Sequence, residues 1–506
     1  MIENMGKKNI MVKNDQIVKV KTDREIKKKI KTALFDKLIK IDKVISVTIV
    51  GSFVDCDDLS GISDIDTIII CDYLDKDIFN KCVNSARDLD LEKCGVNNYE
   101  LKINSTFGPL KFDKPKLAVI HLMIYDISGH INHVINSPFT CYDWQRSKDF
   151  VGLSLENIFP VGILQPRDFN EARRSTDNYL SDLKKKSITY REYDLINNHL
   201  VQKEKHAFFD KKHKGEFAYH IVKNLIINYF KLDNKKNILL SNDRIKNEIH
   251  RFFNDKKAKY HTEKFMIISK IKEKRQSNFP KNTVEWAEQF IEEFKNIIYY
   301  DWKDAIKLNF IRHFKTNLND GSYLGQGRDP SLDEEKVLKI QTQSSEIIYS
   351  SPLKRCLQTA NLFYRDNCII KDDRLLEFNY GDAEGLTYDD LSSKYPRVIS
   401  DWNNGKDPHF PNGENTGDVL NRLLFFMDDL SKKCHDEKEG PISIFTHNGI
   451  LRCLIGNLFQ IQKRDWFKIV IPHGIPLEVL YKNERFYPNI SRSLLRKIFI
   501  NIGIVK

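Results

Sequence analysis

Four short, well separated segments hold side chains that together could move a phosphoryl group. They are Asn309-Phe-Ile-Arg312-His313-Phe-Lys-Thr316, Ser350-Ser-Pro-Leu-Lys-Arg355-Cys-Leu-Gln-Thr359, Leu375-Leu-Glu377-Phe-Asn-Tyr-Gly381 and Phe445-Thr-His447-Asn-Gly449. A neutral imidazole can attack phosphorus and hold the group as phosphohistidine, which makes His313 the candidate nucleophile. The charge on the equatorial oxygens calls for fixed guanidinium forks, and Arg312 and Arg355 supply them better than lysines would. His447 can donate a further hydrogen bond to the phosphoryl group. A leaving alkoxide needs a proton, and Glu377 is the candidate general acid, with Glu384 as a competitor. The same carboxylate would later activate the water that clears the phosphohistidine.

A second constellation lies near the N-terminus. Val50-Gly51-Ser52 is followed by Ser63-Asp64-Ile65-Asp66 and an apolar run to Ile70. Positions i and i+2 of a strand face the same way, so Asp64 and Asp66 can share Mg²⁺, which prefers oxygen ligands and bridges nucleotide phosphates. Gly51 permits close backbone approach, and the Ser52 hydroxyl with nearby N–H groups can hold phosphates.

The elements that must position these residues fall into three textures. Residues 1–150 alternate β-rich runs (Ser46–Val50, Thr67–Cys71, Leu117–Tyr125) with helical stretches. In residues 151–305 strands fade and apolar side chains recur at helical spacing, as in Phe217, Ile221, Leu225 and Tyr229, or Trp286, Phe290, Phe294 and Ile297. In residues 306–506 strand-like runs return (Leu308–Arg312, Glu346–Ser350, Ile442–Thr446, Leu477–Tyr481) and alternate with helices, which predicts an α/β domain with a largely parallel sheet. The expected fold is thus α/β and multidomain: an N-terminal α+β sheet, a central helical region and a C-terminal α/β domain. His313 then falls at a strand end, where open α/β sheets put their ligands.

The four C-terminal segments, in order and spacing, resemble the histidine phosphatase superfamily, which includes the phosphoglycerate mutases. Pro411-Asn-Gly413-Glu414-Asn and Arg422 fit the same pattern, over about residues 306–490. The resemblance implies a phosphoglycerate mutase-like fold needing no metal, with Asn319 and Gln326 or Gly327 near the phosphate or the leaving group. Phe314 and Lys315 stand where the family usually has Gly and often Glu, and a side chain at 314 narrows the approach. Hydrolysis of a small phosphomonoester is favoured, with mutase and fructose-2,6-bisphosphatase chemistry as alternatives. The N-terminal motif resembles the polymerase-β type of nucleotidyltransferase, over roughly residues 30–126. That resemblance implies a nucleoside triphosphate, Mg²⁺ and a third acidic ligand, for which Glu100, Asp126 and, in the acidic position, His121 are the candidates. Without a third acid the domain would bind nucleotide as a sensor and leave the chain a single-activity phosphatase.

Composition bounds the rest. The chain has 506 residues, 41% hydrophobic and 30% charged, with 31 Phe, 20 Tyr and 5 Trp, so it can bury large cores. A net charge of +11 at this length is read as a lysine-rich solvated surface, with nucleic-acid or membrane-surface contact, or a pocket for anionic substrates, as the alternatives; nucleic acid is not expected as a partner. Nine cysteines without a CxxC pair suggest reduced thiols and a cytoplasmic protein. No apolar run is long enough to span a membrane, and the first residues lack the apolar core of a signal peptide. Arg244 and His250, six apart on a helical stretch, and the Lys205-His206 surroundings are read as solvated surface.

Overall fold

The structure, a computed structural model, describes residues 22–56, 58–59, 64–110, 112, 114–196, 199–208, 211–274, 276, 278–318, 320–333, 335, 337, 347–364, 368–436 and 441–502. Asn319 and Ser63 lie outside the described residues. In chain order the elements are α1 (22–38), β1 (Val44–Val50), α2 (Ser52–Asp55), β2 (Ile65–Cys71), α3 (Lys76–Arg87), β3 (Glu100–Asn104), β4 (Leu117–Asp126), α4 (Ile127–Asn136), α5 (Pro138–Trp144), β5 (Phe150–Gly152), α6 (Leu155–Ile158), α7 (Asp168–Glu171), α8 (Thr176–Lys185), β6 (Ser187–Ile196), β7 (His199–Phe208), α9 (Lys211–Asn234), α10 (Asn242–Phe252), α11 (Asp255–Glu273) and α12 (Thr283–Trp302). Beyond them come β8 (Ile306–Arg312), β9 (Ile347–Ser350), α13 (Lys354–Phe363), β10 (Ile369–Lys371), α14 (Tyr388–Lys394), α15 (Pro396–Asn403), α16 (Thr416–Asp436), β11 (Ile442–Thr446), α17 (Asn448–Leu458), β12 (Pro476–Lys482), β13 (Arg485–Pro488) and α18 (Arg492–Ile498).

Contacts group the chain into two compact units, residues 1–159 with 172–295, and residues 160–171 with 296–506. The sequence reading places boundaries at 150 and 305. The contacts instead join the N-terminal sheet and most of the helical stretch in one unit, and give the short segment 160–171 to the other. The reason for the latter is local. Within that segment Asp168 pairs with Arg492 at 2.7 Å, and Gln165 Oε1 accepts the Ile490 N–H at 2.8 Å.

The first unit is built on a mixed sheet of order β3-β4-β2-β1-β5. β1 (VISVTIV) and β2 (IDTIIIC) are rich in β-branched residues and buried on both faces, which suits interior strands. On β4, Ile120, Leu122 and Ile124 enter the core formed with α1 and α3. His121, Met123 and Tyr125 therefore point to the opposite face. The helices α9–α12 bury most of the expected apolar positions, with Ile221, Leu225, Tyr229, Trp286, Phe290 and Phe294 all at most 2% exposed and Phe217 and Ile297 half-buried. One feature contradicts the expected fading of strands after residue 150. β6 and β7 pair antiparallel over ten residues each, from Ser187↔Phe208 to Ile196↔His199.

The second unit carries a six-stranded sheet of order β10-β9-β11-β8-β12-β13. β10, β9, β11 and β8 run parallel, and β12 and β13 add an antiparallel edge. This is the expected α/β arrangement, with the C-terminal ends of β8, β11 and β9 side by side. Among the described residues no helix is long and apolar enough to cross a membrane.

Candidate active site

The site grows from the register of three parallel strands. Thr446 pairs with Arg312 and Phe445 with Ser350, so His313, His447 and Ser351 leave neighbouring strands at the same level. The His313 N–H donates to Thr446 O at 3.1 Å, and the Ser351 N–H to Phe445 O at 2.9 Å. The His313 and His447 ring centroids are 5.2 Å apart.

The tautomer of His313 follows from its neighbour. Its Nδ1 lies 2.6 Å from the Phe314 carbonyl. A carbonyl only accepts, so Nδ1 carries the hydrogen and Nε2 carries the lone pair. Burial, reinforced by the Arg312 and Arg355 cations, holds the ring well below the usual imidazole range, and it stays neutral. Phe314 does not narrow the approach, contrary to the sequence expectation. Its ring is 2% exposed, stacks on Phe363 at 5.8 Å and joins the core with Ile348 and Phe445. Gly474, at φ +66°, makes the room, since a Cβ there would lie 2.2 Å from the ring.

Arg312 donates to Ile471 O at 2.7 Å, while its buried Nε has no hydrogen-bond partner among the described residues. Burial, with the nearby Arg452 cation, lowers it to about 10. Arg355, at the start of α13, is fully buried and is spent largely on protein. It donates to Arg328 O at 3.0 Å, to Gly325 O at 3.0 Å and to Asp329 at 3.4 Å, and its Nε reaches His447 Nδ1 at 3.2 Å. A guanidinium has no acceptor, so His447 Nδ1 accepts and Nε2 bears the proton. That proton faces Ser351 Oγ at 2.8 Å. The donor expected to face the phosphoryl group is thus engaged by Ser351 here, and His447 acts on Arg355.

Glu377 is 6% exposed. Its Oε1 accepts the Phe378 N–H at 2.9 Å and the Gly449 N–H at 3.0 Å. Gly449 is required there, because a Cβ would lie 2.6 Å from Oε1. The Glu377 carbonyl is held by Gln326 Nε2 at 2.8 Å and by Arg422 at 3.0 Å. Glu384 does not compete for the acid role. Its two oxygens accept the backbone N–H groups of Gln326 (2.7 Å) and Gly327 (3.0 Å), so it shapes the 325–327 turn, and the Gly327 N–H faces a carboxylate instead of a phosphate.

Two residues that sequence reasoning missed join this cluster. His473 donates from Nδ1 to the His313 carbonyl at 2.7 Å, and burial with the Arg312 charge lowers it to about 4. Arg452, five residues beyond His447 on α17, is fixed by Ile469 O at 2.7 Å. It acts on Arg312, as do Glu377 and Tyr380. Spacing from His447 was the only signal for Arg452, and a His-Gly pair before β12 the only one for His473.

In the first unit the ends of β1 and β2 bring Gly51 and Asp66 together. Val50 pairs with Asp66, and Gly51, at φ +74°, would place a Cβ 2.8 Å from Asp66 Oδ2. Ser52 opens α2 beside it. Asp64, Asp66 and His121 offer ligand atoms within 4.8 Å of one another. Neither candidate third acid is there. Glu100 is exposed and pairs with Lys114 at 2.8 Å, and Asp126 pairs in register with Cys71 at the far end of β2, where it caps α4. His121 stands in that place. Its Nε2 donates to Thr106 O at 2.7 Å, and its Nδ1 lies 2.8 Å from Asp66 Oδ1, which raises the imidazole above its usual range against the opposing effect of burial. The two carboxylates fit an oxygen-seeking Mg²⁺, whereas His121 supplies no third oxygen. Asp55 is bound by Arg146 and Asp57 lies outside the described residues. Arg244 and His250 are exposed on α10, and His206 is exposed on β7.

Known proteins resemble the second unit's sequence. The phosphoserine phosphatase 1 of Hydrogenobacter thermophilus is 33% identical over 141 residues, 25% of this chain and 65% of that protein. The fructose-2,6-bisphosphatase of Saccharomyces cerevisiae is 29% identical over 192 residues, 35% of this chain and 39% of that protein. The phosphoglycerate mutase of Schizosaccharomyces pombe is 26% identical over 199 residues, 36% of this chain and 93% of that protein. The chain spans less than two thirds of the length of the first two. Residues 308–488 match the histidine phosphatase superfamily (branch 1), so the C-terminal region of this chain is of that superfamily and has a phosphoglycerate mutase-like fold.

Proposed function

We propose that the second unit hydrolyses a small phosphomonoester through a phosphohistidine on His313. The observation that carries this reading is the hydrogen bond from His313 Nδ1 to Phe314 O, which leaves a neutral Nε2 lone pair beside Arg312. Nε2 attacks phosphorus, and the bond from phosphorus to the ester oxygen breaks as Glu377 Oε2 delivers a proton to that oxygen. Nδ1 keeps its hydrogen bond, so the ring's new positive charge is shared with the Phe314 carbonyl. Arg312 and Arg355 stabilise the equatorial oxygens. Water then attacks phosphorus, Glu377 takes its proton, and the phosphorus–nitrogen bond breaks to give inorganic phosphate. Arg452 supports a substrate whose remainder is itself anionic, the chemistry shared by phosphoserine and phosphoglycerate. None of these steps uses a metal. Radiolabelled substrate should leave an acid-labile, base-stable phosphoenzyme. Full turnover by a clean His313→Ala preparation would defeat the assignment.

A second reading concerns the first unit, and the approach of Gly51 to Asp66 favours it. We infer Mg²⁺-dependent nucleotidyl transfer from a nucleoside triphosphate, with Asp64 and Asp66 holding the ion and Gly51 and Ser52 next to the phosphates. The ion would supply charge neutralisation of the phosphates. Calorimetry with nucleoside triphosphates and Mg²⁺, beside a pyrophosphate-release assay, tests it. Binding without pyrophosphate release would mean a nucleotide sensor, and loss of release in Asp64→Asn with phosphatase activity intact is the expected result.

A further inference from the structure

One buried histidine sets the ligand chemistry at the entry to β2. Asp66 pairs in register with His121 across the parallel strands β2 and β4, and Asp64 stands two residues before Asp66. His121 is 5% exposed, and its two ring nitrogens have separate tasks. Nε2 lies 2.7 Å from Thr106 O, and a carbonyl only accepts, so Nε2 carries hydrogen. Nδ1 is then the atom turned toward Asp66 Oδ1, 2.8 Å away.

Three features favour a metal ion between these side chains. The carbonyl that holds Nε2 is itself held, since Asn104 Oδ1 accepts the Thr106 N–H at 3.2 Å and the Thr106 hydroxyl at 2.8 Å. A histidine that ligates a metal through one nitrogen almost always donates its other N–H to a carboxylate, water or backbone carbonyl, which fixes the ring. The spacing also suits an ion. Two ligands at right angles, each bound at about 2.1 Å, lie about 3 Å apart, close to the separation of His121 Nδ1 and Asp66 Oδ1. A ligand atom of Asp64 completes a set within 4.8 Å of one another. A proton joins two atoms, whereas an ion joins all three side chains. Lastly, Gly51, at φ +74°, keeps the space beside Asp66 Oδ2 clear, where a Cβ would lie 2.8 Å away. Among the described residues Asp66 pairs with no lysine or arginine.

We propose that Asp64, Asp66 and His121 form a site for a divalent first-row transition ion, from Mn²⁺ to Zn²⁺, in preference to Mg²⁺. Mg²⁺ is a hard ion that favours oxygen ligands and gains little from an imidazole. The transition ions accept the nitrogen together with both carboxylates. This assignment rests on the reading of Asp64 and Asp66 as metal ligands and adds which ion they serve. It depends neither on nucleotidyl transfer nor on the chemistry at His313.

Mn²⁺ binds most weakly in that series, so it is the most demanding probe. Calorimetric titration of the full-length chain should show Mn²⁺ bound at least about tenfold more tightly than Mg²⁺. Pulsed electron paramagnetic resonance of the Mn²⁺ complex should show coupling to a directly bound imidazole nitrogen. In His121→Asn that coupling should vanish and the preference for Mn²⁺ should fall below about threefold. Asp66→Asn should abolish the site for both ions. The nitrogen coupling is read in the parent protein, so the test stands even if a variant does not fold. Equal affinity for Mn²⁺ and Mg²⁺, or bound Mn²⁺ without nitrogen coupling, overturns the proposal and leaves Asp64 and Asp66 as ligands. Binding of neither ion, or binding unchanged in a folded Asp66→Asn, overturns the proposal and the reading beneath it.

Discussion

Replacing Arg422 with lysine should separate the placement of Glu377 from the rest of the chemistry. The guanidinium spends its N–H groups on the segment that carries the acid and on Glu414. It donates to Glu414 at 2.8 and 3.0 Å, to Arg374 O at 2.8 Å, to Leu376 O at 2.7 Å and to Glu377 O at 3.0 Å. Glu414 in turn accepts the Asn379 N–H at 2.8 Å, so both sides of Glu377 hang on this one fork. A lysine is a point charge and cannot span the carboxylate and three carbonyls together. With both side chains of the pair below 20% exposed, the loss should cost about 3 kcal/mol of stability. Of more interest is the rate. A shift of the acid by about 1 Å is worth roughly 100-fold in turnover. An alkyl phosphate needs the proton from Glu377, whereas p-nitrophenolate leaves without one. Formation of the phosphoenzyme from an alkyl phosphate should therefore slow by about 100-fold, and from p-nitrophenyl phosphate by less than about 10-fold. The assay is single-turnover phosphorylation of His313 by both substrates, which precedes the shared water step that also uses Glu377, with thermal unfolding to confirm the fold. An equal loss on both, or no loss on either, would refute the idea that Arg422 acts by positioning the acid.

Because burial and two arginines lower His313, the nucleophile should stay unprotonated as pH falls, and the acid limb of kcat/KM should lie well below pH 6.5; a limb centred near 6.5 would contradict the assigned environment. Gly449→Ala should fold yet lose most of its turnover, since the added methyl would lie 2.6 Å from Glu377 Oε1; wild-type kcat in a folded variant would show that Oε1 need not sit there. Asp168 is raised to about 6 from 3.8 by burial, which outweighs the pull of Arg492. The folded state then binds the extra proton, so stability is full below pH 3.8 and falls by about 3 kcal/mol as pH rises through 6. Asp168→Asn should flatten that slope in chemical unfolding between pH 4 and 6, and an unchanged slope would assign it elsewhere.

Much of this protein is set by local sequence. β-Branched runs such as Val44–Val50 and Ile442–Thr446 carry enough apolar surface to define interior strands wherever they are placed. Arg312-His313 at a strand end and Asp64-Ile-Asp66 entering one are likewise visible, because the link between a strand and its first exposed turn is short-range. The β6–β7 hairpin escaped notice for the converse reason. β6 is only half-buried, β7 is largely exposed, and cross-strand pairs such as Lys205 with Glu192 help hold them, which leaves no clear apolar alternation to read. Packing alone decided which residues meet. Arg452 and His473 join His313 across more than a hundred residues, His121 takes the place that Glu100 and Asp126 might have filled, and Glu384 is drawn off to a turn. Protonation belongs to the same level. Which nitrogen of His313, His447 or His121 carries hydrogen depends on a carbonyl or guanidinium that only the folded chain brings alongside it.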